Sequence, residues 1–462
     1  MILNYIKGFI GDKKFYKYLL AIMLPIMLQT GITNLVNMLD NVMIGSVGTN
    51  ETTGVAVANQ LIFVFNLCIF GTVSGAGIFG AQFFGKGDNE GLRHTLRFKL
   101  YSATALTVGA ILLFIFAGRW LVNLYLMGEG DVNDAAASME FAITYLNVML
   151  IGLIPYTIAQ CYATSLRETG QTLLPMYAGI SAVGINLFLN WVLIFGNLGL
   201  PAMGVKGGAI ATVISRFAEM FIVMLGTHLK RQKYSFAVGL FGSFYVPLKL
   251  IKQICIKGIP LLLNETMWAM GIAAANRCYS LRGLDVVAAN NISQTFFNVF
   301  SVVFLTVGSA IGIILGQQLG AHETEKAHSS AKKLIAFSFG MSIVVGVIYF
   351  IVSGFIPYAY ETSDEIRRLA TNLMRISAIA MPLDALANAS YFTLRSGGKT
   401  FVTVLFDSCF VWCVTVLTAT ILVNYTSLNI LPLYAICQGL NVIKGVIGII
   451  LVKKGIWIQK IV

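Results

Sequence analysis

The chain has 462 residues, of which 57% are hydrophobic and only 11% charged, whereas a soluble globular domain carries roughly a quarter charged residues. That composition excludes an ordinary soluble enzyme or binding module. The 32 Lys and Arg against 20 Asp and Glu would suggest a nucleic-acid partner in a soluble protein, but here they follow the loops between apolar runs, so no nucleic acid is expected.

Residues 1–18 are mixed and basic, with no apolar stretch ahead of a small-residue cleavage site, so the first spanning helix is expected to do the targeting. Apolar runs such as 103–118, 210–225 and 334–352 then recur along the whole chain and suit a hydrocarbon core of about 30 Å. They predict twelve transmembrane helices, near 17–43, 53–78, 96–118, 136–161, 173–197, 207–228, 250–276, 287–315, 332–355, 369–393, 400–423 and 430–452. The fold class is an all-α integral membrane protein.

On that alternation, Lys7, Lys13, Lys14 and Lys17 precede the first helix, and Lys86, Arg93, Arg97 and Lys99 fall between the second and third. Arg167 follows the fourth, Lys230, Arg231, Lys233, Lys249, Lys252 and Lys257 surround the central connection, and Lys326, Lys332, Lys333, Arg395, Lys399, Lys444, Lys453, Lys454 and Lys460 continue the series. Twenty-four of the 32 basic residues thus fall on one side, which by the positive-inside rule is cytoplasmic and holds both termini. Acidic Glu129, Asp131, Asp134, Glu361, Asp364 and Glu365 fall on the other.

The chain repeats itself. A shift of 235 aligns Pro25 with Pro260, Gly48 with Gly283, Gly77 with Gly312, Gln82 with Gln317 and Gly85 with Gly320. A shift of 228 aligns Leu166, Arg167, Gly170 and Thr172 with Leu394, Arg395, Gly398 and Thr400. Two six-helix bundles are expected, an N-terminal lobe at 1–229 and a C-terminal lobe at 258–462, joined by a polar cytoplasmic linker at 230–257. Six is even, so the repeats are parallel, an arrangement in which transporters bind substrate between the halves near mid-membrane. For the repeated Gly-Gln and Leu-Arg-x-x-Gly segments, tight turns at helix ends and arginines on terminal carbonyls and anionic lipid are the plain structural reading.

Seven cysteines without a CxxC pair and four scattered histidines indicate neither a metal-thiolate site nor a disulfide framework. Chemistry is therefore sought in intramembrane acids, which are costly unless paired, hydrated or neutralised. Asp40 follows Asn34 and Asn37 on one face of the first helix. Glu265 stands beside Asn264 just after Pro260, and Asp384 follows Pro382. Each proline frees a backbone carbonyl, so both acids are candidate Na⁺ ligands. Two carboxylates facing one cavity would repel each other, which suits proton carriage and release of a bound cation. Asp407 lies near Trp412, and Arg216 with Glu219 can pair within the sixth helix. Met267, Trp268, Met270, Phe296 and Phe297 offer an adaptable wall for amphipathic cations, or simply face lipid and core.

Pro25 to Gly45 (PIMLQTGITNLVNMLDNVMIG), GAQFFGKGDNEG after the second helix, LRETGQT and LRSGGKT after the fourth and tenth, and GIPLLLNETMWAMG in the seventh resemble the MATE (multidrug and toxic compound extrusion) transporters of bacterial type, within the MOP superfamily. The resemblance implies a V-shaped pair of bundles in the bacterial inner (plasma) membrane. Its function would be to export amphipathic, often cationic drugs or metabolites by alternating-access antiport with H⁺ or Na⁺, with no cofactor other than that ion and no enzymatic activity. It further implies cation coupling at Glu265 and Asp384, as in the NorM branch, and at Asp40, as in the DinF branch. Asn186 matches the polar partner of Asp40, Asn190 stands where that branch has a second acid, and Thr212 fills the helix-six hydroxyl position only approximately. Asn37, Asn264 and Asp407 complete the supporting polar groups. A monomer that contacts only membrane lipid and its small-molecule substrate is expected. The competing reading is a flippase for lipid-linked precursors, a class that often has fourteen helices and a strongly basic cavity; a membrane enzyme or receptor is disfavoured, because no nucleophile, metal or phosphate motif appears and no soluble domain interrupts the helices.

Overall fold

The computed structural model describes residues 8–46, 48–126, 132–360 and 362–462, without the side chains of residues 37, 38, 41, 42, 44, 45, 132 and 133. Among the described residues there are no strands. The long helices, in chain order, are α1 (Lys13–Gly45), α2 (Thr49–Lys86), α3 (Asn89–Leu126), α4 (Val132–Glu168), α5 (Leu173–Phe195) and α6 (Gly204–Leu229), then α7 (Leu248–Ser280), α8 (Leu284–Gly320), α9 (Thr324–Val352), α10 (Asp364–Ser396), α11 (Thr400–Tyr425) and α12 (Ile430–Lys453). Each predicted apolar stretch coincides with one of them. Most run a turn or two further, because polar residues continue the helix past the apolar run.

Ten of the twelve are long and apolar enough to cross a membrane by themselves, and the protein is a multi-pass membrane protein. The two that fall short are α7 and α10, which carry Glu265, Asp384 and several terminal charges. Their polarity is the first sign that they line something other than lipid.

Contacts divide the chain into two compact units, one of Met1–Met27, Ala81–Gly87 and Cys255–Val462 and one of Leu28–Gly80 and Asp88–Ile254. Helices α1 and α2 therefore each belong to both, and the C-terminal half takes in two short segments of the N-terminal half. Lipid provides little hydrophobic drive between helices, so close backbone approach and internal polar contacts matter more. In the larger unit, a Cβ at Gly85 would overlap the carbonyl of Gln317, and one at Gly320 would overlap the carbonyl of Gln82. These are the positions the 235-residue shift equates, so the two repeats meet reciprocally at the ends of α2 and α8. Tight turning explains Gly170 and Gly398, whose φ angles are +74° and +73°; close approach explains Gly85 and Gly320.

The same unit closes on the tail after α12. The Gln82 amide donates to the carbonyls of Ser396 and Gln459, both at 3.2 Å, and accepts from the Ile461 N–H at 3.0 Å. Trp457 is fully buried in a core with Leu19, Ile22, Ile311, Leu315 and Leu394.

In the other unit Lys99, wholly buried, donates to both Glu168 oxygens at 2.6 and 2.8 Å and to Ser165 at 3.0 Å. The Glu168 carboxylate fills the space beside Gly77 and Gly80. The segment after α6 is pinned rather than free: Arg97 donates to the carbonyls of Leu240 and Gly239 at 2.8 Å and of Tyr245 at 3.2 Å. Lys99 and Arg97 are therefore internal groups, not loop charges facing lipid headgroups.

Candidate functional site

In the unit built from Leu28–Gly80 and Asp88–Ile254, polar residues of α1, α5 and α6 converge. Asn186 and Asn190, one turn apart on α5, share a face, and both are buried. The Asn190 amide donates to Asp40 Oδ1 at 2.7 Å. Asn186, with its nitrogen toward the carboxylate, donates to Asp40 Oδ2 at 2.9 Å, and its oxygen accepts from Thr212 Oγ1 at 3.2 Å. Asn190 Oδ1 is buried with no hydrogen-bond partner among the described residues. The four expected residues Asp40, Asn186, Asn190 and Thr212 are thus in one cluster. The side chain of Asn37 lies outside the described residues. On the next turn of α6, Arg216 stacks on Tyr156 at 4.9 Å and donates to the Gly152 carbonyl at 3.3 Å.

The second cluster lies on α7, α10, α11 and α12 of the other unit. Glu265 Oε1 accepts from the Tyr391 hydroxyl at 2.9 Å, with Arg395 Nη1 at 3.9 Å. Asn264, fully buried, donates to Tyr391 at 3.3 Å and to Asp407 Oδ2 at 2.9 Å. Ser408 Oγ donates at 2.7 Å to the backbone or side-chain oxygen of Asn264. Lys444 Nζ donates to Asp407 Oδ1 at 2.6 Å, and Asn441, one turn earlier on α12, donates to Asp384 Oδ1 at 2.6 Å.

The backbone assists this convergence. Asp407 and Ser408 sit in a π-helical stretch, Leu405–Cys409, followed by another at Val411–Val416. Such wide turns are rare and often occur at functional sites. Helix α12 is interrupted at Leu440, immediately before Asn441.

On α10, Asp384 lies seven residues, roughly 10 Å along the helix, before Tyr391, whose hydroxyl donates to Glu265. One expectation needs correction: Lys444 is buried inside α12, not in a cytoplasmic loop. Arg395 lies 3.9 Å from Glu265, and Arg167 donates to the Gln29 side chain at 2.8 Å.

The residues of the expected apolar wall differ in their surroundings. Trp268 and Met270 are exposed, whereas Phe296 and Phe297 pack against the core formed with Tyr349, Met374 and Tyr434. Met267 contributes its carbonyl, which accepts from the Trp412 indole at 2.8 Å.

Lys444, Arg395, Tyr391, Asn441 and Ser408 are the members that sequence reasoning missed. For Lys444 a signal was present: it falls within the predicted 430–452 helix, three residues after Asn441.

The MatE family pattern matches residues 25–192 and 260–421, most of both repeats. The chain is 25% identical over 423 residues to "Probable multidrug resistance protein NorM" of Thermotoga maritima, spanning 90% of this chain and 87% of that protein. It is 25% identical over 418 residues to the protein of the same name from Halalkalibacterium halodurans, spanning 89% and 88%. Among solved structures, an outward-facing multidrug resistance MATE family transporter of the MOP superfamily superposes with a TM-score of 0.85 at 20% identity, over 97% of each chain. A MOP superfamily transporter from Pyrococcus furiosus, described as having a binding pocket of reverse polarity, gives 0.83 at 19% identity, again over 97% of each chain. With a family pattern spanning both repeats and relatives matched along nearly their whole length, the chain belongs to the MATE family of membrane transporters.

Proposed function

We propose that the protein exports amphipathic, cationic drugs or metabolites across the bacterial plasma membrane in exchange for H⁺ or Na⁺ by alternating access, with both termini cytoplasmic. The observation that carries this is the network on α7, α10, α11 and α12, where three carboxylates, Glu265, Asp384 and Asp407, face two cations, Arg395 and Lys444. Such a set inside a membrane is costly and lacks one positive charge, which an exchangeable cation can supply. Relatives named as probable multidrug resistance proteins support the substrate class. The Asp40 cluster is a separate candidate site, in which a hard monovalent cation would replace the Asn186 and Asn190 N–H donors at the carboxylate, with the amides turning their oxygens toward it.

Buried Arg395 and Lys444 also give the flippase reading one favourable observation, since anionic lipid precursors need basic groups. Each of those cations already faces a carboxylate, at 3.9 and 2.6 Å, and the set as a whole is not positive. The deciding experiment reconstitutes the protein in liposomes and varies the pH and Na⁺ gradients independently against a panel of dyes and lipids. Gradient-driven efflux of quaternary ammonium dyes is expected; transport restricted to anions or lipid precursors would move the flippase reading ahead.

A further inference from the structure

We propose that Lys444 is a tethered counter-cation that sets the uptake of coupling cations by the α7–α10–α11–α12 network at one. The inference deepens the antiport reading and rests on it.

Lys444 is buried and holds its ammonium 2.6 Å from Asp407 Oδ1, while the other Asp407 oxygen accepts from Asn264 at 2.9 Å. Each Asp407 oxygen is therefore already engaged by a group of the protein itself. The rings of Phe406 and Phe410 lie 5.7 and 5.9 Å from the same ammonium, within the range of cation–π attraction. A lysine in this setting replaces an ion that the carboxylate would otherwise have to recruit.

The other charged groups complete the count. Glu265 faces Arg395 and the Tyr391 hydroxyl. Asp384 accepts from the neutral Asn441 amide and is near enough to Lys444, and to the Tyr434 hydroxyl, to feel both electrostatically. Three carboxylates and two fixed cations leave one negative charge, and a low-dielectric interior favours its neutralisation by a single monovalent cation. Among the described residues, the charged neighbour of Asp384 is Lys444, already engaged by Asp407, so Asp384 is the carboxylate open to it.

The arrangement also has the means to move. The lysine stem has four flexible carbons, Asn441 and Lys444 follow the interruption of α12 at Leu440, and Asp407 lies on the π-helical stretch of α11. A small shift of α12 against α10 and α11 would carry the ammonium from Asp407 toward Asp384, expelling the bound cation from one while opening the other. Arrival of the ion and arrival of Lys444 are then alternative ways of neutralising Asp384, which gives the ion the differential affinity for two states that coupling demands.

The test is the ratio of ions to substrate. Proteoliposomes are clamped at zero voltage, and the quaternary ammonium dye gradient that just stops net flux is measured against imposed pH or Na⁺ gradients. The slope, in decades of dye per decade of ion, is the stoichiometry. Because the Asp40 cluster can add its own ion to the total, the reading is the change from the parent: the slope is expected to rise by about one in Lys444→Gln and to return to the parent value in Lys444→Gln/Asp407→Asn and in Lys444→Arg. Should Lys444→Gln fail to reach the membrane, Asp407→Asn reads the same count in the opposite direction, because Lys444 then neutralises Asp384 and the slope falls by about one. An unchanged slope in Lys444→Gln or in Asp407→Asn overturns the assignment of Lys444. A parent insensitive to both gradients overturns the antiport reading itself.

Discussion

Replacing Lys99 by leucine tests how the family's repeated plan is stabilised, because the second half of the chain provides its own control. At a shift of 235, Lys99 corresponds to Leu334, and at a shift of 228, Glu168 corresponds to Ser396; both counterparts are buried. One repeat thus holds a buried ion pair where the other holds an apolar side chain and a hydroxyl. Lys99→Leu removes the ammonium that contacts both Glu168 oxygens and leaves a carboxylate buried against Gly77 and Gly80. Breaking a buried pair at one end costs about 3–5 kcal/mol, whereas replacing both ends by groups that pack is often nearly neutral. The double substitution Lys99→Leu/Glu168→Ser should therefore recover most of the loss, leaving about 1–2 kcal/mol for the space the carboxylate vacates. Equilibrium unfolding in mixed detergent micelles, followed by tryptophan fluorescence, gives these differences as a double-mutant cycle. A single variant within about 1 kcal/mol of the parent, or a double variant no more stable than Lys99→Leu, would refute the argument.

Two further outcomes follow from the fold. Gly85→Ala, which drives a methyl group into the Gln317 backbone, should cost roughly 1–3 kcal/mol in the same unfolding assay, while alanine at Gly109, where the added carbon meets nothing, should be tolerated. Single cysteines placed at the exposed positions Lys86, Lys233 and Lys326 of an otherwise cysteine-free chain should react with an impermeant maleimide only from the cytoplasmic side; labelling of all three from outside would reverse the topology.

The twelve helices were legible because apolar runs carry their own signal, and this held even for α7 and α10, the two most interrupted by polar residues. The Asp40 cluster was legible as well, since Asn186 and Asn190 share a helix face and a resemblance pointed to α1. The second cluster was read only in part. Alternating loops along the sequence counted Lys444 and Arg395 as cytoplasmic charges, although partners more than a hundred residues away in Arg395's case, and on an irregular stretch of α11 in Lys444's, draw both inward. No local pattern shows that Tyr391, rather than Asp384, stands level with Glu265, because that depends on where α7 and α10 cross. The π-helical turns that bring Asp407 to Asn264 leave no trace in hydropathy.

The central claim is that the network of Glu265, Asp384 and Asp407, through its one surplus negative charge, couples ion movement to export in the larger unit, with Asp40 as a separate site in the other. Glu265→Gln keeps the size of the side chain and an acceptor for the Tyr391 hydroxyl while removing the charge. The most direct measurement compares ion-gradient-driven dye efflux by Glu265→Gln, Asp40→Asn and the parent in proteoliposomes, alongside dye binding in detergent. Loss of a coupling free energy of about 1–3 kcal/mol corresponds to roughly 5–150-fold, so Glu265→Gln should lose gradient-driven efflux by about that factor while still binding dye. Normal export by Glu265→Gln together with an inactive Asp40→Asn would contradict the account and place the coupling site in the Asp40 cluster.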